Sequence, residues 1–325
     1  MLRKWVHTVV VSVTLALVGV NAQAEVPSCP DLGGSNSIVD SGRSNAVGRN
    51  DSGDGRWLLG LRGRRIQDPG ALFDWRCQSE GAKIAGLDEG LMSDRPDFTE
   101  ASTVVGLGVL QIETGYTYLY DNDGTIRTKS HSYPETLIRY GIFRNWLELR
   151  VGSNYGTGHD DSTRTSGAED LYLGFKIGLT AQDGIRPEMA LIPQMTVPTG
   201  ANGITSNEVL PGANWLYGWD ISENLATGGS TQFNRSVDGT TGSAYTEWSQ
   251  SWTVNYGLTE RLGAFTEWFA HFPSGAQTER TQYYFDGGFV YSFTNDIQWD
   301  IRGGKGLNDA AADYFLGTGL VLRFH

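Results

Sequence analysis

From about Leu110 to Phe324 the chain alternates apolar and polar residues in segments of roughly ten, and this beat restricts the fold more than any other feature. At the C-terminus Tyr314, Leu316, Thr318, Leu320, Leu322 and Phe324 share one parity, and Gly317, Gly319, Arg323 and His325 the other. Strand side chains point to opposite faces with period two, so the segment has one greasy face and one small or polar face. Lipid offers the backbone no hydrogen-bond partner, and a structure of strands crosses it only as a closed barrel. The pattern predicts an all-β fold over residues 98–325: a transmembrane antiparallel up-and-down barrel of about twelve strands, preceded by an N-terminal extension.

The same alternation recurs along the chain. Leu147, Leu149 and Val151 oppose Glu148 and Arg150; Leu171, Leu173, Phe175 and Ile177 oppose Gly174 and Lys176. Phe285, Phe289 and Tyr291 oppose Asp286 and Ser292, and Ile297, Trp299 and Ile301 oppose Asp300 and Arg302. The apolar parity carries no charge, as a lipid-facing surface requires. Tight turns at 143–145, 222–224, 259–261 and 294–296 alternate with longer polar links at 121–132, 156–167, 200–210, 235–243, 271–282 and 304–312. Outer-membrane barrels have short periplasmic turns, longer external loops and an even strand count. That topology places both ends of the mature chain in the periplasm.

Residues 1–24 read as a cleaved secretory signal. Arg3 and Lys4 precede an apolar run, and Ala22-Gln23-Ala24 is a small-residue cleavage site. Residues 25–97 are a different kind of sequence, rich in Gly, Ser and Asn between 33 and 55 and basic at Arg62, Arg64 and Arg65. They suit a flexible periplasmic extension or a plug in the lumen, and both readings stand. Cys29 and Cys77 are the candidates for a disulfide that ties this segment down in an oxidising compartment, the alternative being two unpaired thiols.

Composition agrees with a barrel. The 43 glycines and a mean hydropathy of -0.31 are too polar for a helical membrane protein, because every second strand residue faces inward. The 14 tyrosines, 13 phenylalanines and 10 tryptophans suit interfacial girdles. A net charge of -12 argues against nucleic acid as a partner. No cofactor or metal motif is present. Gly106-Leu107-Gly108 lacks the third glycine of a dinucleotide site, and Asp121-Asn122-Asp123-Gly124 lacks the later glutamate of a calcium loop. His159, Asp160 and Asp161 read as a solvated loop. His271 and Ser274, the nearest pair for lipid hydrolysis, do not share the lipid face.

The inner parity supplies the candidate lumen-lining residues: Glu113, Glu148, Asp170, Glu188, Asp220, Glu247, Glu267, Asp286 and Asp300 against Arg139, Arg150, Lys176, Arg302 and Arg323. Nine acids against five bases predict an acid-leaning conduit that prefers cations; the alternative is a set of cross-strand pairs filling a narrow interior. On this reading Leu173→Arg impairs insertion, whereas Lys176→Gln leaves it intact.

The run Ser93-Asp94-Arg95-Pro96-Asp97-Phe98-Thr99-Glu100, followed by Gly108 to Tyr116, resembles the opening of a bacterial outer-membrane family labelled as a transporter associated with the meta-pathway of phenol degradation. Leu137-Ile138-Arg139-Tyr140-Gly141 with Leu147 to Gly152, Ala168 to Lys176, and Pro198-Thr199-Gly200 are similar to its later strands. The resemblance covers about residues 93–325. It implies a barrel that is a channel or transporter for small compounds, aromatic or apolar ones among them, with no catalytic residues to carry over. One departure lies at the end: Phe324, the aromatic that barrel-assembly machinery would read, is penultimate, followed by His325.

The function expected is therefore passive passage of a small-molecule solute through a polar lumen, in a non-enzymatic porin-like channel surrounded by outer-membrane lipids. A structural or surface-binding barrel with a closed lumen is the alternative, and a membrane-embedded lipid hydrolase a distant one.

Overall fold

The computed structural model describes residues 90–122, 124, 126–161 and 163–325. The signal-like segment, the basic cluster at 62–65, Cys29 and Cys77 lie outside the described residues. Thirteen strands form one sheet: β1 Leu110–Asn122, β2 Arg127–Gly141, β3 Leu147–His159, β4 Arg164–Ala168, β5 Leu171–Thr180, β6 Glu188–Val197, β7 Leu210–Ser222, β8 Leu225–Val237, β9 Ala244–Gly257, β10 Leu262–Ser274, β11 Gln282–Ser292, β12 Ile297–Gly306 and β13 Tyr314–Phe324. The short β4 and the longer β5 both pair with β3 and follow one another along it, so the wall has twelve staves. Every stave pairs antiparallel with its neighbours in sequence, and β1 pairs with both β2 and β13. The sheet is closed, which leaves no edge of unpaired backbone groups.

The short turns and the barrel's first and last residues lie at one end of the staves, here the near end; the longer links lie at the far end. Several of those links are mostly strand. β1 runs to Asn122 and β2 starts at Arg127; β3 runs to His159, and β10 to Ser274. The alternation fades in these stretches because strands that leave the apolar layer no longer need an apolar face. A further near-end turn, 181–187, joins β5 to β6, closed by Asp183 N to Arg186 O (3.0 Å) and Arg186 N to Asp183 O (3.1 Å).

Large apolar residues of one parity remain on the outside, among them Tyr140, Phe175, Trp215, Trp252, Phe289 and Leu316. Leu173 belongs to this set, directly opposite Val151 and Met195. An arginine there would lie in the apolar belt, where a charge costs about 2–4 kcal/mol near the midplane. Leu173→Arg is therefore expected to lower the yield of heat-modifiable, folded barrel in liposomes, with Leu173→Ile unaffected. Equal yields for the two would show that this parity does not face lipid.

Candidate functional site

The opposite parity buries charge. Glu113, Arg139, Glu148, Arg150, Lys176, Glu267, Asp286 and Asp300 are each no more than 1% exposed. They are covered by the chain itself, because residues 90–108 run inside the barrel before β1 begins. Leu91 N donates to Asn295 O at the near end (2.8 Å), and Leu107 N donates to Asn145 Oδ1 (3.3 Å) in another near-end turn. The segment thus enters and leaves by the same end, and its middle reaches the wall halfway up. There the backbone N–H groups of Phe98 and Thr99 donate to the Glu267 carboxylate at 2.6 and 2.7 Å, and Thr99 Oγ1 lies 2.6 Å from Ser251 Oγ. The sequence-level division at residue 97 runs through the middle of this segment.

Two ionic clusters hold it. In the first, Asp94 meets three wall cations: Lys176 Nζ at 2.7 Å, Arg139 Nη1 at 3.4 Å, and Arg150 Nη1. Arg139 also bonds Glu113 (3.0 Å) and Glu148 (2.7 Å), and Arg150 bonds Glu148 (2.9 Å) and Glu100 (3.1 Å). Backbone groups of the segment add to the cluster. Met92 O accepts from Arg139 (3.1 Å), Ala101 O from Lys176 (2.8 Å) and Thr103 O from Arg139 (3.1 Å), while Val105 N donates to Glu148 (3.0 Å). Buried charge is tolerated when each ion is paired and its remaining donors and acceptors are met, a condition that Arg150 Nη2 and Glu100 Oε2, which make an ion-pair contact without a hydrogen bond, do not fully satisfy.

In the second cluster Arg95 reaches sideways to Glu135 (2.9 Å) and Asp300 (3.3 Å), and donates to Thr318 O (3.2 Å). Its guanidinium lies against two wall glycines. A Cβ at Gly115 would stand 2.4 Å from it and one at Gly319 2.2 Å, so any side chain at either position would evict the arginine. The pairing of β1 with β2 breaks between Glu113 and Thr117, where β2 bulges and carries Glu135 at φ 44°. Bulges re-aim side chains in this way.

Above the clusters the interior turns aromatic. Phe98 stacks on Phe269 (4.7 Å between ring centroids), Phe269 stacks on Tyr284 (4.8 Å), and Phe315, Ala311 and Ala312 join them. Ala190, Ile192 and Leu216 make a second apolar patch on the inner face. Beside the segment, on its β6–β12 side, is a cavity of about 200 Å³, lined by Asp97, Glu100, Thr103, Glu188, Asp220 and Phe265 among others, and extending to Asn295 in the near-end turn.

The family match agrees with this architecture. A family model described as "Putative MetA-pathway of phenol degradation" matches residues 93–324. The chain belongs to that family. The matched region begins at Ser93, so the inserted segment from that residue onward is part of what the phenol-degradation family model describes. No curated protein matches the chain. Among solved structures, an outer membrane channel from Pseudomonas putida F1 is 16% identical, with a TM-score of 0.55, over 71% of this chain and 99% of that one. The NanC porin is 12% identical with a TM-score of 0.42, over 66% and 98%. The CymD monoaromatic hydrocarbon channel is 9% identical with a TM-score of 0.36, over 67% and 89%. Only the first of these exceeds 0.5, and at that identity it establishes the barrel fold alone.

Within this family member, the remaining charged candidates fall in several places. Glu188 accepts from Thr103 Oγ1 (3.0 Å), and Arg302 donates to Thr117 Oγ1 (3.4 Å) with its guanidinium 5.3 Å from the Phe315 ring centre. Asp220 is joined through its backbone to Gln182, N to Oε1 at 2.7 Å and O from Nε2 at 3.0 Å. Arg323 pairs with Asp296 in a near-end turn (2.8 Å). Asp170 sits in the break between β4 and β5 and accepts from Gly200 N (3.0 Å), Ser206 N (2.9 Å) and Ser206 Oγ (2.7 Å). It anchors the far-end link 198–209, and against the cost of partial burial the Thr205 side chain together with these bonds holds its carboxyl down to about 2. Its place in the inner parity is lost where the strand breaks.

Glu247 lies 3.5 Å from His271 Nδ1, and Ser249 Oγ lies 3.0 Å from the same nitrogen. A nucleophile–base relay needs its hydroxyl and its carboxylate on opposite ring nitrogens, so this trio is not arranged as one. Asp238 was not visible as a functional residue in the sequence. Buried in the link between β8 and β9, it accepts from Thr240 N, Thr241 N, Gln277 N, Thr278 N and Thr278 Oγ1. The Thr278 hydroxyl bond, with the three threonine N–H groups, holds its carboxyl well below the usual range. A depressed carboxyl contributes stability above its unfolded value and loses it only as pH falls through the folded one. This join between two far-end links therefore persists through mild acid.

Proposed function

We propose that this protein is a passive outer-membrane channel for small aromatic or apolar solutes, closed at rest by residues 90–108. In this reading the signal is cleaved, the short turns and both ends of the mature chain are periplasmic, and the far end faces outward. The observation that carries it is the inserted segment. The interior is obstructed by one tethered stretch of chain that enters and leaves by the near end, while the wall is complete without it. Such an obstruction can move without the barrel unfolding. The family's phenol-degradation label and the aromatic upper interior support the solute class.

Six of the fourteen inner charges are taken up in the two clusters, and Asp170, Glu247 and Arg323 are held by partners elsewhere, so the acid count of the whole inner face overstates the field a solute meets. Ion preference is instead assigned to the cavity beside the segment, where Asp97, Glu188 and Asp220 stand, Glu100 being paired with Arg150 and the nearby Arg95 with Glu135 and Asp300. Reversal potentials in a salt gradient should show cation preference at low salt. It should fade as the screening length falls from about 30 Å at 0.01 M to about 3 Å at 1 M. Glu188→Gln with Asp220→Asn should weaken it. A barrel silent in planar bilayers even without residues 93–105 would instead favour a structural barrel with a closed lumen, and anion preference would overturn the assignment of selectivity to this cavity.

A further inference from the structure

The outer surface carries a row of residues that the channel reading does not use. Strand register sets Lys305 opposite Tyr314, Tyr314 opposite Tyr120, Tyr120 opposite Lys129, Lys129 opposite His159, and His159 opposite Arg164. Directly opposed residues of antiparallel strands project from the same face, so these six side chains form one line. With neighbouring strands about 4.8 Å apart, the line is roughly 24 Å long. Its face is the outer one: Tyr314 is 40% exposed, and Lys129, His159, Arg164 and Lys305 are exposed.

In the other direction the same line continues into lipid-facing aromatics. Lys305 is opposite Phe285, Phe285 opposite Trp268, and Trp268 opposite Trp252. Because the staves of such a barrel tilt by about 35–45°, a line across them climbs relative to the membrane plane. Trp252 stands five residues from Gly257, the near end of β9, whereas Lys129 stands twelve from Gly141, the near end of β2. The line therefore rises from Trp252, Trp268 and Phe285 through Lys305, Tyr314 and Tyr120 to Lys129, His159 and Arg164. With the Lys305 stem carrying its ammonium upward, that order matches a lipid layer: acyl chains, then the interface, then a charged headgroup.

The cations are not spent on the protein. Two other exposed arginines are answered by carboxylates, Arg186 by Asp183 and Arg235 by Glu208. Among the described residues no carboxylate forms an ion pair with Lys129, Arg164 or Lys305. In a chain of net charge -12, a run of unanswered cations at the rim points to an anionic partner.

We propose that Lys305, Lys129, His159 and Arg164 bind the phosphate groups of a phosphorylated glycolipid in the leaflet at the far end, with Tyr314 and Tyr120 seated at its interface. The proposal rests on the orientation given above only for which leaflet supplies the lipid. The test is the unfolding midpoint of the full-length protein in neutral detergent micelles, titrated with diphosphoryl lipid A, with its dephosphorylated form, and with inorganic phosphate.

Diphosphoryl lipid A should raise the midpoint of the natural protein at the lowest concentration, and the other two additions should not. Each basic side chain near charged lipid is worth about fivefold in affinity, so Lys129→Gln/Arg164→Gln/Lys305→Gln should need on the order of 100-fold more lipid. The near-end control Arg144→Gln/Arg261→Gln should behave as the natural protein. If the triple variant folds poorly, Lys305→Gln alone, on a different hairpin from the other two, should give about a fivefold change. An equal response of triple variant and natural protein, an equal response to the dephosphorylated lipid, or a response to inorganic phosphate alone would each overturn the proposal. None of these readouts depends on conductance, so a failure here is distinct from failure of the channel reading.

Discussion

Thr99→Cys/Ser251→Cys, in a chain whose Cys29 and Cys77 are replaced by serine, is expected to be closed when oxidised and several-fold more conductive when reduced. The two hydroxyl oxygens are 2.6 Å apart, one on the deepest part of the inserted segment and one on β9. Sulfurs in their place lie near the roughly 2.05 Å of a disulfide and need little movement to form it. The bond would prevent the segment from leaving. Its reduction leaves the tip without the Thr99 hydroxyl bonds, each worth about 0.5–1.5 kcal/mol, and so releases it more readily than in the natural protein. Planar-bilayer recordings before and after addition of reductant read the effect directly. Deleting residues 93–105 should reproduce the reduced state permanently. Identical traces in both redox states, with the disulfide verified by mass, would exclude movement of this segment as the gate.

The second large effect is expected at Asp94. Its carboxylate answers Lys176, Arg139 and Arg150 and accepts from Ala101 N (3.0 Å), so it joins the segment to the wall and to itself. Removing one member of a buried ion cluster strands the others and costs about 3–5 kcal/mol. Here the strain is relieved by undocking rather than unfolding, because the wall strands keep their ladders. Asp94→Ala should raise conductance and expose residues 90–108 to protease added at the near end, while the barrel stays heat-modifiable. Lys176→Gln should do the same more weakly, since an amide can still donate to Ala101 O. Asp170→Ala, which loosens only the far-end link, should leave conductance unchanged. Natural-type protection and conductance in Asp94→Ala would show that the cluster does not hold the segment.

The expectation for Lys176 goes beyond what alternation alone suggests. A lysine of inner parity reads as a water-facing charge that tolerates replacement, whereas the structure buries its ammonium between Asp94 and Ala101. Alternation reports the face and not what covers it. Asp170 shows the converse: a break after β4 takes it out of the inner surface, and no periodic pattern carries that information. Ile192, Leu216 and Phe269 face inward although apolar, because they meet one another or the inserted segment instead of water.

By itself the sequence determined the class of fold, the number of staves, their alternating short and long connections, and which parity meets lipid. These are local properties: a period of two within ten residues, and a turn between one run and the next, are written where they act. Only the tertiary structure decided that residues 90–108 fold back inside the barrel, that Asp94 meets cations from β2, β3 and β5, and that Gly115 and Gly319 are bare to admit Arg95. Those contacts join residues far apart in the chain, 223 positions for the bond between Arg95 and Thr318. Their energy arises from burial and pairing that exist only once the wall has closed.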